Sequence, residues 1–112
     1  MSKHALTQLM RVATHLKRYD TEMNMTRLQV LLTVAKKGRT GALVKDIVTA
    51  TGHNQSTIAR TLGNMAQQTV RGQKEPLNWI TMEPDHEDSR RVRCVLTPRG
   101  QTVVAEIEEL MQ

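Results

Sequence analysis

The sequence predicts a mainly α fold with a small β wing, and three observations carry that prediction. The run from Asp88 to Gly100 joins a charged turn to an alternating strand and then to a helix start. The stretch from Val44 to Gln67 holds two short helical patterns broken at Gly52. The composition has no Phe, one Tyr, one Trp and seven Met, so a core must come from Leu, Val, Ile, Ala and Met, which favours helices packed through flexible side chains. Together these give a winged helix-turn-helix flanked by N- and C-terminal helices, expected as one domain over residues 1–112. Its parts are an N-terminal helix at 2–18, a helix-turn-helix at 44–67, a wing at 78–97 and a C-terminal helix at 98–111.

In the first helix, Leu6, Leu9, Met10, Ala13 and Leu16 recur at helical spacing, with Lys3, Arg11, Lys17 and Arg18 outside the stripe. Tyr19 to Asn24 breaks the pattern. Thr26 followed by Gln29 suggests a capping box for a second helix whose apolar face is Leu28, Leu31, Leu32 and Ala35, ended by Gly38 to Gly41. Leu43 and Val44 suit a short third strand of the wing sheet. In the helix-turn-helix, Ile47, Val48 and Ala50 supply the buried side of the first helix. Gly52 falls where a sharp turn with positive φ costs least. Asn54 then caps a second helix with Ile58, Leu62 and Met65 inward, leaving Gln55, Ser56, Thr57, Arg60, Thr61 and Asn64 toward solvent or a ligand.

Residues 68–76 form a long connection whose Arg71 and Lys74 are candidate phosphate contacts, although a loop without a role is the simpler reading. Trp79 to Met82 is the first wing strand, and Glu83 to Arg90 a polar turn. In the second strand Val92, Cys94 and Leu96 alternate with Arg91, Arg93 and Val95. Thr97 offers an N-cap hydroxyl, and Pro98 takes the first helical position, where its missing N–H costs nothing. The last helix carries Val103, Val104, Ile107, Leu110 and Met111 on one side and Glu106, Glu108 and Glu109 outside it.

Asp88, Arg90, Leu96, Thr97 and Gly100 match the D-x-R turn and following L-T-x-x-G of the MarR family of winged helix-turn-helix regulators. The chain resembles that family from about Met25 onward, with a longer 68–76 connection and a shorter C-terminal tail. The resemblance implies duplex DNA as partner, transcription regulation as function and a homodimer built on both terminal helices. The candidate interface residues are Leu6, Leu9, Leu16, Val103, Ile107 and Leu110. It also implies that Arg90 enters a minor groove while Asp88 orients a neighbouring arginine. A small-molecule effector belongs to the same expectation, since such dimers often bind small aromatic acids between the dimer helices and the DNA-binding lobe.

The charge distribution agrees with a polyanionic partner. Residues 1–74 hold 12 Lys or Arg against 3 Asp or Glu, whereas residues 75–112 hold 4 against 8, within a net charge of +5. Scarce aromatics argue against single-stranded nucleic acid, which stacks on aromatic platforms. Short polar side chains with one Arg near a helix N-terminus suit a major groove. Arg60 is the candidate for a bidentate guanine contact, with a phosphate contact or a surface ion pair as alternatives. Gln55, Ser56 and Thr57 can serve bases or phosphates, and Lys45 and Arg91 complete the candidate DNA-binding set with Thr61 and Asn64. The competing function is a winged-helix module that grips a protein partner.

No residue set suggests catalysis or a cofactor. His4 and His15 are too sparse for a metal site. Cys94, the single cysteine, reads as a packed small residue, and a reducing cytoplasm is the expected compartment. No apolar stretch approaches the roughly 20 residues that span a bilayer.

Overall fold

A computed structural model describes residues 3–66 and 77–112. The elements run α1 (Lys3–Tyr19), α2 (Met25–Lys37), a 3₁₀ turn (Gly38–Thr40), β1 (Ala42–Leu43), α3 (Val44–Thr51), α4 (Gln55–Met65), β2 (Ile80–Pro84), β3 (Val92–Leu96) and α5 (Pro98–Leu110). The sheet is antiparallel in the order β1-β3-β2, with Ala42 opposite Cys94 and Met82 also opposite Cys94. This is the expected wing with its third strand, set one residue earlier than Leu43 and Val44 because α3 already begins at Val44. The 68–76 connection, with Arg71 and Lys74, lies outside the described residues.

Side chains from every helix meet in one core, where Leu16, Val30, Leu31, Val34, Ile47, Ile58, Leu62, Met65, Trp79, Ile80 and Val103 are almost fully enclosed. Enclosing a Leu or Ile stabilises by about 1.5–3 kcal/mol relative to leaving it exposed. Cys94 lies in this core, and burial pushes its thiol up to about 11; the packed reading of this residue stands.

Several local expectations shift. The first helix buries Gln8, Val12 and Leu16, while Leu6, Leu9, Met10 and Ala13 stay exposed. The inward face is turned from the predicted stripe, of which it keeps Leu16, and it includes a polar residue: Gln8 donates from Nε2 to the Met111 and Gln112 carbonyls, at 2.7 and 2.9 Å, at the end of α5. Such bonds satisfy carbonyls that a helix C-terminus leaves without partners. Helix α2 is capped by Asn24, whose Oδ1 accepts from the Arg27 N–H at 2.9 Å, not by a Thr26–Gln29 box. Its buried residues are Arg27, Val30, Leu31 and Val34, and Leu32 is exposed. Arg27 is held inside by an ion pair with Asp20, which is how a charged residue joins an otherwise apolar face. In α3, Ile47 is buried, Val48 half-buried and Ala50 exposed.

The base of the wing explains its sequence pattern. Thr97 Oγ1 donates to the Asn78 carbonyl at 2.5 Å and accepts from the Gly100 N–H at 3.0 Å, while the Thr97 N–H donates to the Trp79 carbonyl at 3.0 Å. A Cβ on Gly100 would run into that Trp79 carbonyl. The T-x-x-G pattern therefore caps α5 and welds it to the start of β2 at once. Trp79 in turn meets Tyr19 of α1 edge to face, ring centroids 6.0 Å apart. The Tyr19 hydroxyl donates to Glu106 of α5 at 2.5 Å, which holds the Glu106 carboxyl below its ordinary range.

Candidate nucleic-acid interface

The candidate interface lies on α4 and the wing. Gly52 takes φ 77°, a left-handed conformation that closes α3 and lets the chain turn into α4 within three residues. Asn54 caps α4 by accepting from the Thr57 N–H at 2.9 Å, and the Ser56 hydroxyl donates to the same Asn54 side chain at 3.3 Å. Ile58, Leu62 and Met65 anchor the inner side of α4 in the core, so its outward face is fixed in rotation. That face consists of Gln55, Ser56, Ala59 and Arg60, all exposed, followed by half-buried Gly63 and Asn64.

Thr57 and Thr61 depart from the expected outward set. Thr57 is half-buried, and Thr61 is buried with its hydroxyl donating to the Thr57 carbonyl at 2.9 Å. A threonine can satisfy its hydroxyl on the preceding helical turn and pack its methyl inward, so polarity alone placed Thr61 on the wrong side. Ala59 and Gly63 were missed for the converse reason. Small apolar residues read as interior in a sequence, yet here Ala59 is exposed and Gly63 half-buried on the outward ridge.

The wing tip is organised by two carboxylates. Asp88 accepts from the Arg90 Nε and backbone N–H, both at 3.1 Å, and from Nη2 at 3.3 Å. These bonds hold the Asp88 carboxyl below its ordinary range. The Arg90 side chain nevertheless remains 90% exposed. Asp85 accepts from Arg91 Nη2 at 3.0 Å, and its backbone N–H donates to the Arg91 carbonyl at 2.9 Å, closing the loop. The family resemblance implies that Asp88 orients a neighbouring arginine, and that arginine is Arg90; the sequence does not reveal that Asp85 takes Arg91. Lower in the sheet, Glu83 accepts from Arg93 at 2.7 Å.

Lys45, Gln55, Arg90 and Arg91 converge on one groove of about 470 Å³ between α3, the start of α4 and β3, floored by Leu43, Val44, Val48 and Val92. Ser56, Arg60 and Asn64 are not among its lining residues. Of the terminal-helix residues, Leu16, Val103 and Ile107 are buried within this chain, and Leu110 is half-buried. Leu6 and Leu9 are 54% and 46% exposed. Among the described residues no cluster of His, Cys, Asp or Glu could hold a metal, and no helix is long and apolar enough to cross a membrane.

The fold recurs in solved structures. S. aureus MepR in complex with DNA is 19% identical, with TM-score 0.73 over 92% of this chain and 75% of that one. The fold is the MarR-type winged helix. Bordetella bronchiseptica BpsR, whose DNA binding is regulated by 6-hydroxynicotinic acid, is 21% identical, with TM-score 0.61 over 92% of this chain and 67% of that one. MarR itself is 19% identical, with TM-score 0.62 over 91% and 71%. In sequence, no protein-family model and no curated protein matches the chain.

Proposed function

We propose that the chain is a sequence-specific duplex DNA-binding transcriptional regulator that acts as a homodimer, with α4 in the major groove and the wing at the minor groove. The observation that carries this reading is the ridge of Gln55, Ser56, Ala59 and Arg60, held in one rotation by a capped and buried helix. A groove is read by a helix that comes close and presents hydrogen-bonding groups to base edges. Arg60 supplies the bidentate donor. Arg90, kept exposed but oriented by Asp88, suits a narrow minor groove, where the negative potential is concentrated. Lys45 and Arg91 contribute sequence-independent phosphate contacts.

The homodimer rests on Leu6, Leu9 and Met10, which leave an apolar strip exposed on α1, and on Met111 beyond α5. Leu16, Val103 and Ile107 are already enclosed and contribute positioning, not new buried area. Basic Arg11 and Arg18 on α1 also complement exposed Glu108 and Glu109 on α5 across a twofold pair. A small-molecule effector belongs to the same reading. A cleft of about 560 Å³, lined by Arg39, Arg93, Leu96, Gln101 and Val104 among others, separates the wing from α5. The experiment is selection from a random duplex library followed by footprinting. A near-palindromic site, with half-sites about one helical turn apart, supports the reading. Failure to enrich any sequence, with partners retained equally at high salt, favours the protein-gripping module instead.

A further inference from the structure

The groove between α3, the start of α4 and β3 combines an aliphatic floor with a basic rim. Leu43, Val44 and Val48 are half-buried there and Val92 is 41% exposed, and no aromatic side chain is among the described lining residues. The rim carries Lys45, Arg90 and Arg91, with no carboxylate among those residues. The cleft beside α5 differs in this respect, since Glu83 and Glu108 stand next to its arginines and oppose an anion. Asp88 and Asp85 balance the charge of Arg90 and Arg91 without using all of their donors. Asp88 accepts from Nε and Nη2 of Arg90, and Asp85 from Nη2 of Arg91, whereas a guanidinium carries further N–H groups. Lys45 is exposed and pairs with no carboxylate among the described residues. The uncompensated charge at the rim is therefore that of a single ammonium. At about 470 Å³ the groove has the size of a small-molecule site.

We infer that this groove binds an aliphatic carboxylate, its chain on the Leu43, Val44, Val48 and Val92 floor and its charge at Lys45, Arg90 and Arg91, and that this ligand and a duplex exclude each other. A single negative charge matches the unbalanced ammonium, which favours a carboxylate over a dianionic phosphate, and the spare guanidinium donors suit its two oxygens. A hydrocarbon chain laid on the floor withdraws apolar surface of both partners from water. The chain is aliphatic because the floor is Leu and Val, with no ring to stack on. The exclusion rests on the DNA-binding reading, which assigns the same three cations to the duplex; the ligand site itself does not.

The test titrates the full chain with acetate, butanoate, hexanoate and octanoate at neutral pH and constant ionic strength, followed by methyl-resolved nuclear magnetic resonance. Shifts should concentrate on the methyl groups of Leu43, Val44, Val48 and Val92, and affinity should rise roughly twofold to fourfold per added methylene, the scale of burying one such group. Octylammonium, with the same tail and the opposite charge, should bind at least about tenfold more weakly than octanoate, and benzoate more weakly than hexanoate. Val92→Glu places a carboxylate at an exposed position of the floor and should reduce octanoate affinity about tenfold or more, with the dispersed spectrum of a folded chain retained. Octanoate at about ten times its dissociation constant should then cut affinity for a selected duplex roughly tenfold, while acetate at the same concentration leaves it unchanged. A flat chain-length series, shifts centred elsewhere, a preference for benzoate or octylammonium, or duplex binding indifferent to octanoate would overturn the inference and leave the DNA-binding reading intact. If octanoate binds as described and the chain binds no duplex, the DNA-binding reading and the exclusion are overturned and the ligand site is upheld.

Discussion

Helix α4 and the wing tip each present an arginine to solvent, and they hold it by different physics. Arg60 is placed by packing: Ile58, Leu62 and Met65 are buried on one side of α4, and Asn54 closes its first turn. Arg90 is placed by electrostatics, through three hydrogen bonds to a single half-buried carboxylate, Asp88, in a loop with no core of its own. Packing fixes a direction at any salt concentration, whereas surface ion pairs weaken as salt rises and contribute little to stability. On the proposed function this is a division of labour. The rigid helix suits discrimination among base edges, and the adjustable arginine suits a groove whose width varies with sequence.

Four substitutions break or sharpen that contrast. Leu62→Ala removes a buried anchor of α4 and should cost about 2–5 kcal/mol in denaturant unfolding; a loss below about 1 kcal/mol would show that α4 is not held by packing. Gly100→Ala attacks one of the places where the wing is fixed to the helices, the contact with the Trp79 carbonyl. It should cost about 1–3 kcal/mol, as overpacking does, and a neutral result would separate the wing from the core. Asn54→Ala should cost about 1 kcal/mol through loss of the cap, readable as a lowered urea midpoint with an unchanged slope. Asp88→Asn should leave the thermal midpoint nearly unchanged yet release Arg90. In the unmodified chain the sign follows from the lowered Asp88 carboxyl: its pairing is complete above the ordinary aspartate range and is lost as pH falls through the folded value. Nuclear magnetic resonance of the Arg90 Nε–H should follow that titration, and a signal unchanged at every pH would mean that the pair does not form.

The legible parts of the sequence were those where one residue performs one local task. Gly52, Asn54, Thr97 and Pro98 each have a backbone role that depends on near neighbours, and each occupies the position its chemistry predicts. What stayed hidden depends on distant partners. Gln8 faces inward because α5 ends opposite it, 103 residues away. Arg27 is buried because Asp20 is there to receive it. Thr61 turns inward because its hydroxyl is satisfied on its own helix, and the link from His53 to Gln29 spans two elements. Periodicity sorts residues by polarity, and each of these is a polar group made tolerable inside by a bond that periodicity does not see.

The most direct measurement is fluorescence anisotropy of the wild-type chain on a selected duplex and on a scrambled duplex of equal length, across a series of salt concentrations, with Arg60→Ala alongside. The account predicts preference for the selected duplex on the order of a thousandfold and a steep loss of affinity with salt for both. Arg60→Ala should give up about 1–3 kcal/mol of that preference at one or two base pairs. Equal affinity for the two duplexes, or an unchanged ranking of base substitutions in Arg60→Ala, would contradict the claim that α4 reads sequence.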